Sequence, residues 1–193
     1  MKILVSSIMS PQYGNFLYKS FPRWNFNLRD CNYFVASDPS LNWPLDFNIS
    51  ALKNKCLDAA SSINADWLIL LPGADCSLIS MPDFKNLDEN IIYVGSRKEN
   101  HVEKPYICSL HAYSKKIYKK YRYDEFFRFY WDDFDFFHNQ TKDIPKKLAE
   151  DLICFHQTHD SLAENKYVGE RSEIEKKAFL QKYKSVHGVD FVV

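Results

Sequence analysis

The sequence predicts an α/β fold, a single domain with a mostly parallel central sheet flanked by helices. Three observations carry this. Trp67-Leu-Ile-Leu-Leu71 is a continuous apolar run, the pattern of a central strand buried on both faces. Ala51 to Ala60, shortly before it, sets Leu52, Cys56, Leu57, Ala59 and Ala60 at helical spacing with one buried face. Strand-like and helix-like segments alternate along the rest of the chain, which favours parallel strands joined through helices. The 193 residues suit one domain, 1–193, with one sizeable core.

Taken in order, Lys2 to Ser6 reads as a buried first strand. Residues 10–30 hold Pro11, Gly14 and Pro22 among aromatic and basic residues and read as a long loop. Asn32 to Ser37 is a second strand, ended by the turn formers Ser37-Asp-Pro-Ser40. Residues 41–48 are loop, and Ser50 is the expected N-cap of the helix Ala51–Ala60. Pro72-Gly73 stops the central strand, and Asp75 lies just beyond it. Asn90 to Gly95 is a strand, Ser96 to Lys104 a charged loop, and Tyr106 to Ala112 a strand leading into a basic helix, Ser114 to Tyr121. Asp132 to Asn139 is an expected helix and Asp151 to Phe155 a last strand. Arg171 to Tyr183, with Ile174, Ala178, Phe179 and Leu180, is an amphipathic helix, and Phe191 to Val193 a short strand or docked tail.

Composition narrows the function. Hydrophobic residues are 46% and charged residues 26%, as in globular chains. The formal net charge is zero, whereas a protein built to hold a nucleic-acid backbone usually has a basic surplus, so nucleic acid is not an expected partner. No apolar stretch is long enough to span a bilayer, and Met1 to Ser7 is too short for a signal peptide, so the expected location is cytoplasmic. The five cysteines, Cys31, Cys56, Cys76, Cys108 and Cys154, form no C-x-x-C pair and are expected as buried free thiols. Aromatic residues are 16% and crowd between Tyr118 and Phe137, where most serve a core and some would suit a sugar-stacking wall.

Three clusters could carry chemistry. In a parallel sheet, ligands sit beyond the carboxyl ends of the strands. Asp38, Asp75 and His156 each follow a predicted strand, although polar residues there are also ordinary turn formers. Asp75 is a candidate ligand for a hard divalent cation, with an imidazole and a diphosphate supplying other donors. Tyr130-Trp-Asp-Asp-Phe-Asp-Phe-Phe137 holds three acids among five aromatics. Helix capping would account for the acids. An aromatic setting also desolvates a carboxylate and makes it a better base, which favours Asp133, and less strongly Asp132, as catalytic groups. The last cluster, Cys154-Phe-His-Gln-Thr-His-Asp160, sets His156, His159 and Asp160 after an apolar strand at a spacing that matches no zinc signature.

The order of these clusters resembles the GT-A glycosyltransferases, most of all the inverting branch related to the β-1,4-galactosyltransferases. Ala51-Leu-Lys-Asn54 resembles the family's Asn-bearing helix start, Gly73-Ala-Asp75 stands where its D-x-D motif belongs, Tyr130-Trp-Asp-Asp133 resembles its acidic motif, and Phe155 to Asp160 its last histidine motif. The resemblance implies a GT-A fold with a nucleotide-binding part near 1–95 and an acceptor part near 96–193. It implies Mn²⁺ or Mg²⁺ held by Asp75 and His156, and Asp133 as base with Asp132 beside it. It further implies a nucleotide-sugar site drawing on Ser6, Ser7, Asp38, Asn54, Gly73, Ala74, Asp75, His111 and Trp131. Gly73 replaces the first Asp of D-x-D, and the acidic motif lacks its two glycines, so the chain stands outside the close galactosyltransferase group. The implied reaction moves a sugar, UDP-linked by the resemblance, to an acceptor hydroxyl of a glycan. The Lys-, Asn- and Phe-rich chain is also similar to glycosyltransferase domains of large DNA viruses, which would make the location a host cytoplasm. Two other classes stay open: a metal-dependent hydrolase or nucleotidyltransferase using the same acids with His156, His159 and Asp160, and a non-catalytic carbohydrate-binding module.

Overall fold

The computed structural model describes residues 1–9, 31–37, 44–73, 76–99, 102–105, 110–156 and 166–192. Among these residues eight strands form one sheet: β1 (Ile3–Met9), β2 (Cys31–Ser37), β3 (Trp67–Leu70), β4 (Cys76–Ser80), β5 (Ile92–Glu99), β6 (Val102–Pro105), β7 (His111–Ser114) and β8 (Lys146–His156). The α-helices among these residues are α1 (Ile49–Ser62), α2 (Lys115–Tyr118), α3 (Asp132–Asp135) and α4 (Lys166–His187). A π turn, Phe136–Gln140, continues α3. Strand order is β2-β1-β3-β7-β5-β8-β4, with β6 also on β5.

The α/β class stands, but the sheet is mixed rather than mostly parallel. β1 runs parallel to β2 and β3, and β5 parallel to β8. β7 is antiparallel to both β3 and β5, β6 to β5, and β4 to β8. Chain length explains part of the difference. Glu99 pairs with Val102, so two residues separate β5 from β6. A parallel crossover needs a dozen or more residues, and a link of two permits only an antiparallel hairpin. This hairpin replaces the expected charged loop 96–104.

Two apolar clusters fill the faces of the sheet. Leu4, Ile8, Leu68, Leu70, Ile92, Val94 and Tyr113 point to one face and meet Leu52, Cys56, Leu57 and Ala60 of α1, Tyr118 of α2 and Val168 of α4. Ile3, Val5, Trp67, Ile69 and Ala112 point to the other and meet Cys76, Leu78, Phe84, Leu152 and Cys154. Among the described residues the α-helices therefore cover one face, while β4, β8 and the 3-10 turn Phe84–Asn86 close the other, which corrects the expectation of helices flanking both. Cys56, Cys76 and Cys154 are buried, Cys31 is half-buried, and none of the four is in a disulfide. Cys108 lies outside the described residues. None of the described helices is long and apolar enough to cross a membrane.

Several element boundaries also move. Asn48, not Ser50, caps α1 by accepting the Ala51 N–H at 3.0 Å. Ser50 is buried in the first turn and donates to the Phe127 carbonyl. The last strand begins at Lys146, and the amphipathic helix runs from Lys166 to His187. Phe191 lies in no strand; its ring packs against Phe179 and Tyr183 of α4, so the tail docks.

β5 and β8 slip register where Val94 pairs with Leu148 and Ser96 with Ile153. Gly95 sits at the slip. A Cβ there would lie 2.4 Å from the Leu152 carbonyl oxygen, so the backbones approach this closely only because the residue has no side chain.

Candidate active site

α1 carries one charged residue on its buried stripe. Leu52, Lys53, Cys56, Leu57 and Ala60 all turn inward. A buried ammonium is stable only with counter-charges and hydrogen bonds, and α3 supplies both. Lys53 Nζ donates to Asp132 Oδ2 at 2.6 Å and to Asp133 Oδ1 at 2.7 Å, with side chains only 5%, 3% and 11% exposed.

Two aromatic hydroxyls extend the cluster. Tyr123 Oη donates to Asp133 Oδ1 at 3.4 Å and lies 2.7 Å from Tyr113 Oη. Tyr113 Oη in turn lies 2.7 Å from His111 Nδ1, which stands 4.0 Å from Asp133 Oδ1. His111 and Tyr113 share a face because they alternate on β7. Lys53 Nζ also sits 4.9 Å from the centre of the Tyr123 ring, and Tyr123 stacks on Phe136 at 4.2 Å.

This cluster is placed by the ends of several elements. Leu70, at the end of β3, pairs with His111, which pairs on its other side with Val94 of β5. The first half of α1 is stitched to residues 123–128. Ile49 N–H donates to the Arg128 carbonyl at 2.8 Å, and Asn48 Nδ2 donates to the Glu125 carbonyl at 2.8 Å. Asn54 donates to the Tyr123 carbonyl at 3.0 Å and accepts its N–H at 2.9 Å. α4 holds the same segment from outside. Glu175, fully buried, accepts the Arg128 and Phe129 N–H groups at 2.8 and 3.2 Å. Lys182 bridges Asp124 and Asp135 at 2.9 Å each.

Burial raises the pKa of both Asp132 and Asp133, because desolvation disfavours the carboxylate; Lys53 opposes the rise without cancelling it. For Lys53 the balance is reversed. Burial lowers its pKa, but the two carboxylates outweigh burial and hold the ammonium above its ordinary range. Tyr123 is pushed well above the usual phenol value, by burial first and then by Tyr113 and Asp133, so its hydroxyl stays protonated. The cluster thus contains one lasting positive charge and two carboxylates.

The structure brings Asp132, Asp133 and His111 together from the sequence-derived set. Asn54 stands beside them, with its amide engaged by the Tyr123 backbone and by Glu125. Trp131 stacks on Phe179 at 5.4 Å and contacts Phe134. Ser6 Oγ donates to the Phe34 carbonyl at 3.1 Å, and Ser7 Oγ is buried with no hydrogen-bond partner among the described residues. The Gly73 carbonyl accepts the Cys76 N–H at 3.2 Å. Asp38, Ala74, Asp75, His159 and Asp160 lie outside the described residues, as does the side chain of His156. The backbone of His156 is described, and it pairs with Cys76, the residue after Asp75.

Lys53 is the site residue that the motif reading passed over. Its signal was a lysine on the helix stripe that also carries Leu52, Cys56, Leu57 and Ala60. A charge on a buried stripe demands an acidic partner elsewhere in the chain.

No protein-family profile matches the chain, and no curated protein matches it. Among solved structures, A197 from STIV is similar with a TM-score of 0.50 and 15% identity, over 83% of this chain and 87% of that one. A glycosyltransferase involved in the glycosylation of the major capsid of PBCV-1 aligns with a TM-score of 0.48 and 12% identity, over 92% of this chain and 100% of that one. The likeness to A197 is one of fold.

Proposed function

We propose that the protein is an inverting glycosyltransferase that moves a sugar from a nucleotide-diphosphate sugar, with UDP as the favoured nucleotide, to an acceptor hydroxyl of a glycan. The observation that carries this reading is the buried Lys53–Asp132–Asp133 cluster beside the end of β3. It sets a desolvated carboxylate, with one edge still exposed, where the motif order calls for a base. Asp133 accepts the acceptor hydroxyl proton. The freed oxygen forms its bond to the anomeric carbon from the face opposite the leaving group, and the bond from that carbon to the diphosphate breaks, its electron pair leaving with the nucleoside diphosphate.

The acid pair is not a fitting divalent-cation site, because the Lys53 ammonium lies between its two carboxylates. No cluster of three His, Cys, Asp or Glu residues suited to a metal occurs among the described residues. Asp75 and His156 are the donors that the resemblance implies, a carboxylate and an imidazole of the kind that suits such a cation. Mn²⁺ or Mg²⁺ held there would supply positive charge to the departing diphosphate.

Thermal unfolding with nucleoside diphosphates and nucleotide sugars, each with and without Mn²⁺, tests the reading. A ligand that binds only the folded state raises the melting temperature. A shift with one nucleotide that needs the metal is the expected result. No shift with any donor at millimolar concentration would overturn the proposal.

A further inference from the structure

We propose that Lys53 is a positioning residue for the acid pair: its buried ammonium offsets the charge of Asp132 and leaves Asp133 as the carboxylate that takes the proton. The role in transfer rests on the glycosyltransferase reading; the charge coupling itself does not.

The charges of this buried trio govern its uptake of a proton. Lys53 from α1 contacts both carboxylates, at 2.6 and 2.7 Å. Among the described residues the other groups facing Asp133 are Asp132 beside it, Tyr123 at 3.4 Å, and His111 of β7 at 4.0 Å, with Tyr113 bridging the last two. Lys53 is the one permanent cation in this set. With Lys53 present, the trio carries a single net negative charge when both acids are ionised. Taking up the proton makes it neutral, which burial favours.

Removing either neighbour of Asp133 upsets that count, in opposite directions. Without Lys53, two carboxylates lie side by side in a buried pocket. Such a pair keeps one proton between them at neutral pH, and the base is already partly consumed. Without Asp132, a full ammonium faces Asp133 alone, holds it ionised and weakens it as a base. Removing both leaves one buried carboxylate with a net charge of minus one, as in the parent protein. Asp133 is assigned as the proton acceptor because its side chain is 11% exposed, against 3% for Asp132.

The test compares Lys53→Met, Asp132→Asn and the double variant with the parent protein, using two readouts. The first is the ¹³C carboxyl titration of aspartate-labelled protein without substrate. The second is the pH dependence of sugar transfer. In Lys53→Met the acid limb should move up by about one to two pH units, and in Asp132→Asn it should move down by about one or more. The double variant should return toward the parent position. If Lys53→Met does not fold, the contrast between Asp132→Asn and the double variant carries the same test, since only the second lacks the ammonium.

A carboxyl titration that is the same with and without Lys53 overturns the inference, as does a double variant that titrates like Asp132→Asn. Titrations that move as stated while no nucleotide sugar supports transfer uphold the charge coupling and sink the glycosyltransferase reading. Transfer in the parent protein with unmoved limbs sinks the inference alone.

Discussion

Cys76, at the start of β4, stands opposite His156, at the end of β8, in antiparallel register. The pairing brings together two chain segments about 80 residues apart, and Asp75 is the next residue before Cys76. If the pair Asp75 and His156 holds the cation, then Asp75→Ala and His156→Ala should each weaken Mn²⁺-dependent nucleotide binding by more than about tenfold. Calorimetric titration of UDP with and without Mn²⁺ measures this. Unchanged metal-dependent affinity in both variants would remove them from the cation site.

Asp133→Asn keeps the shape of the side chain but cannot accept a proton at neutral pH. Transfer should fall by about a hundredfold or more, while the affinity for donor stays nearly intact. Single-turnover kinetics beside donor titration separates the two effects. Full transfer activity in this variant would take Asp133 out of the mechanism.

Asp132 gives the fold a pH signature. Burial is the main cause that lifts its carboxyl to about 6, with the Asp133 charge adding to the lift and Lys53 opposing it. An unfolded aspartate titrates near about 4. Between those values the folded chain binds a proton that the unfolded chain has released, so stability should fall as pH rises through this window. Lys53, held above the ordinary lysine range, contributes stability that is lost only at alkaline pH. Asp132→Asn should flatten the slope of stability against pH between about 4 and 6. Urea melts across that range would show it, and an unaltered slope would count against the buried pair.

Glu175 ties α4 to the segment that bears the acids. Glu175→Ala leaves the Arg128 and Phe129 N–H groups without their acceptor and removes the carboxylate paired with Arg171. The expected cost is about 2–6 kcal/mol, from two orphaned donors at about 1–3 kcal/mol each. Glu175→Gln keeps one acceptor oxygen and should recover part of this. A loss below about 1 kcal/mol in denaturant melts would show that the segment rearranges around water instead.

Gly95→Ala tests the register slip between β5 and β8. The new Cβ would meet the Leu152 carbonyl at 2.4 Å, so the strands must part. The expected destabilisation is about 1–3 kcal/mol or more, as for overpacking elsewhere. A neutral substitution would mean that the slip relaxes readily.

Much of the first half was legible because it depends on local pattern. The buried run of β1, the apolar run of β3 and the stripe of α1 each announce themselves within a dozen residues, and each element is present. β4 was missed because Cys76–Ser80 is short and follows a Pro-Gly break. β6 was missed because its charged side chains resemble loop composition. The acids of α3 were readable as a cluster from Asp132-Asp-Phe-Asp135, since they are adjacent in the chain.

By itself the sequence determined the α/β class, the main strands and helices, and the acids at 132, 133 and 135, because side-chain periodicity and composition are local properties. Only the tertiary structure decided the direction of β7 and the partner of β8, since strand pairing is chosen by the packing of distant segments. It also decided that Lys53 meets Asp132 and Asp133, some 80 residues away. A buried charge announces that it needs a partner, but which acid answers depends on where the helices come to rest.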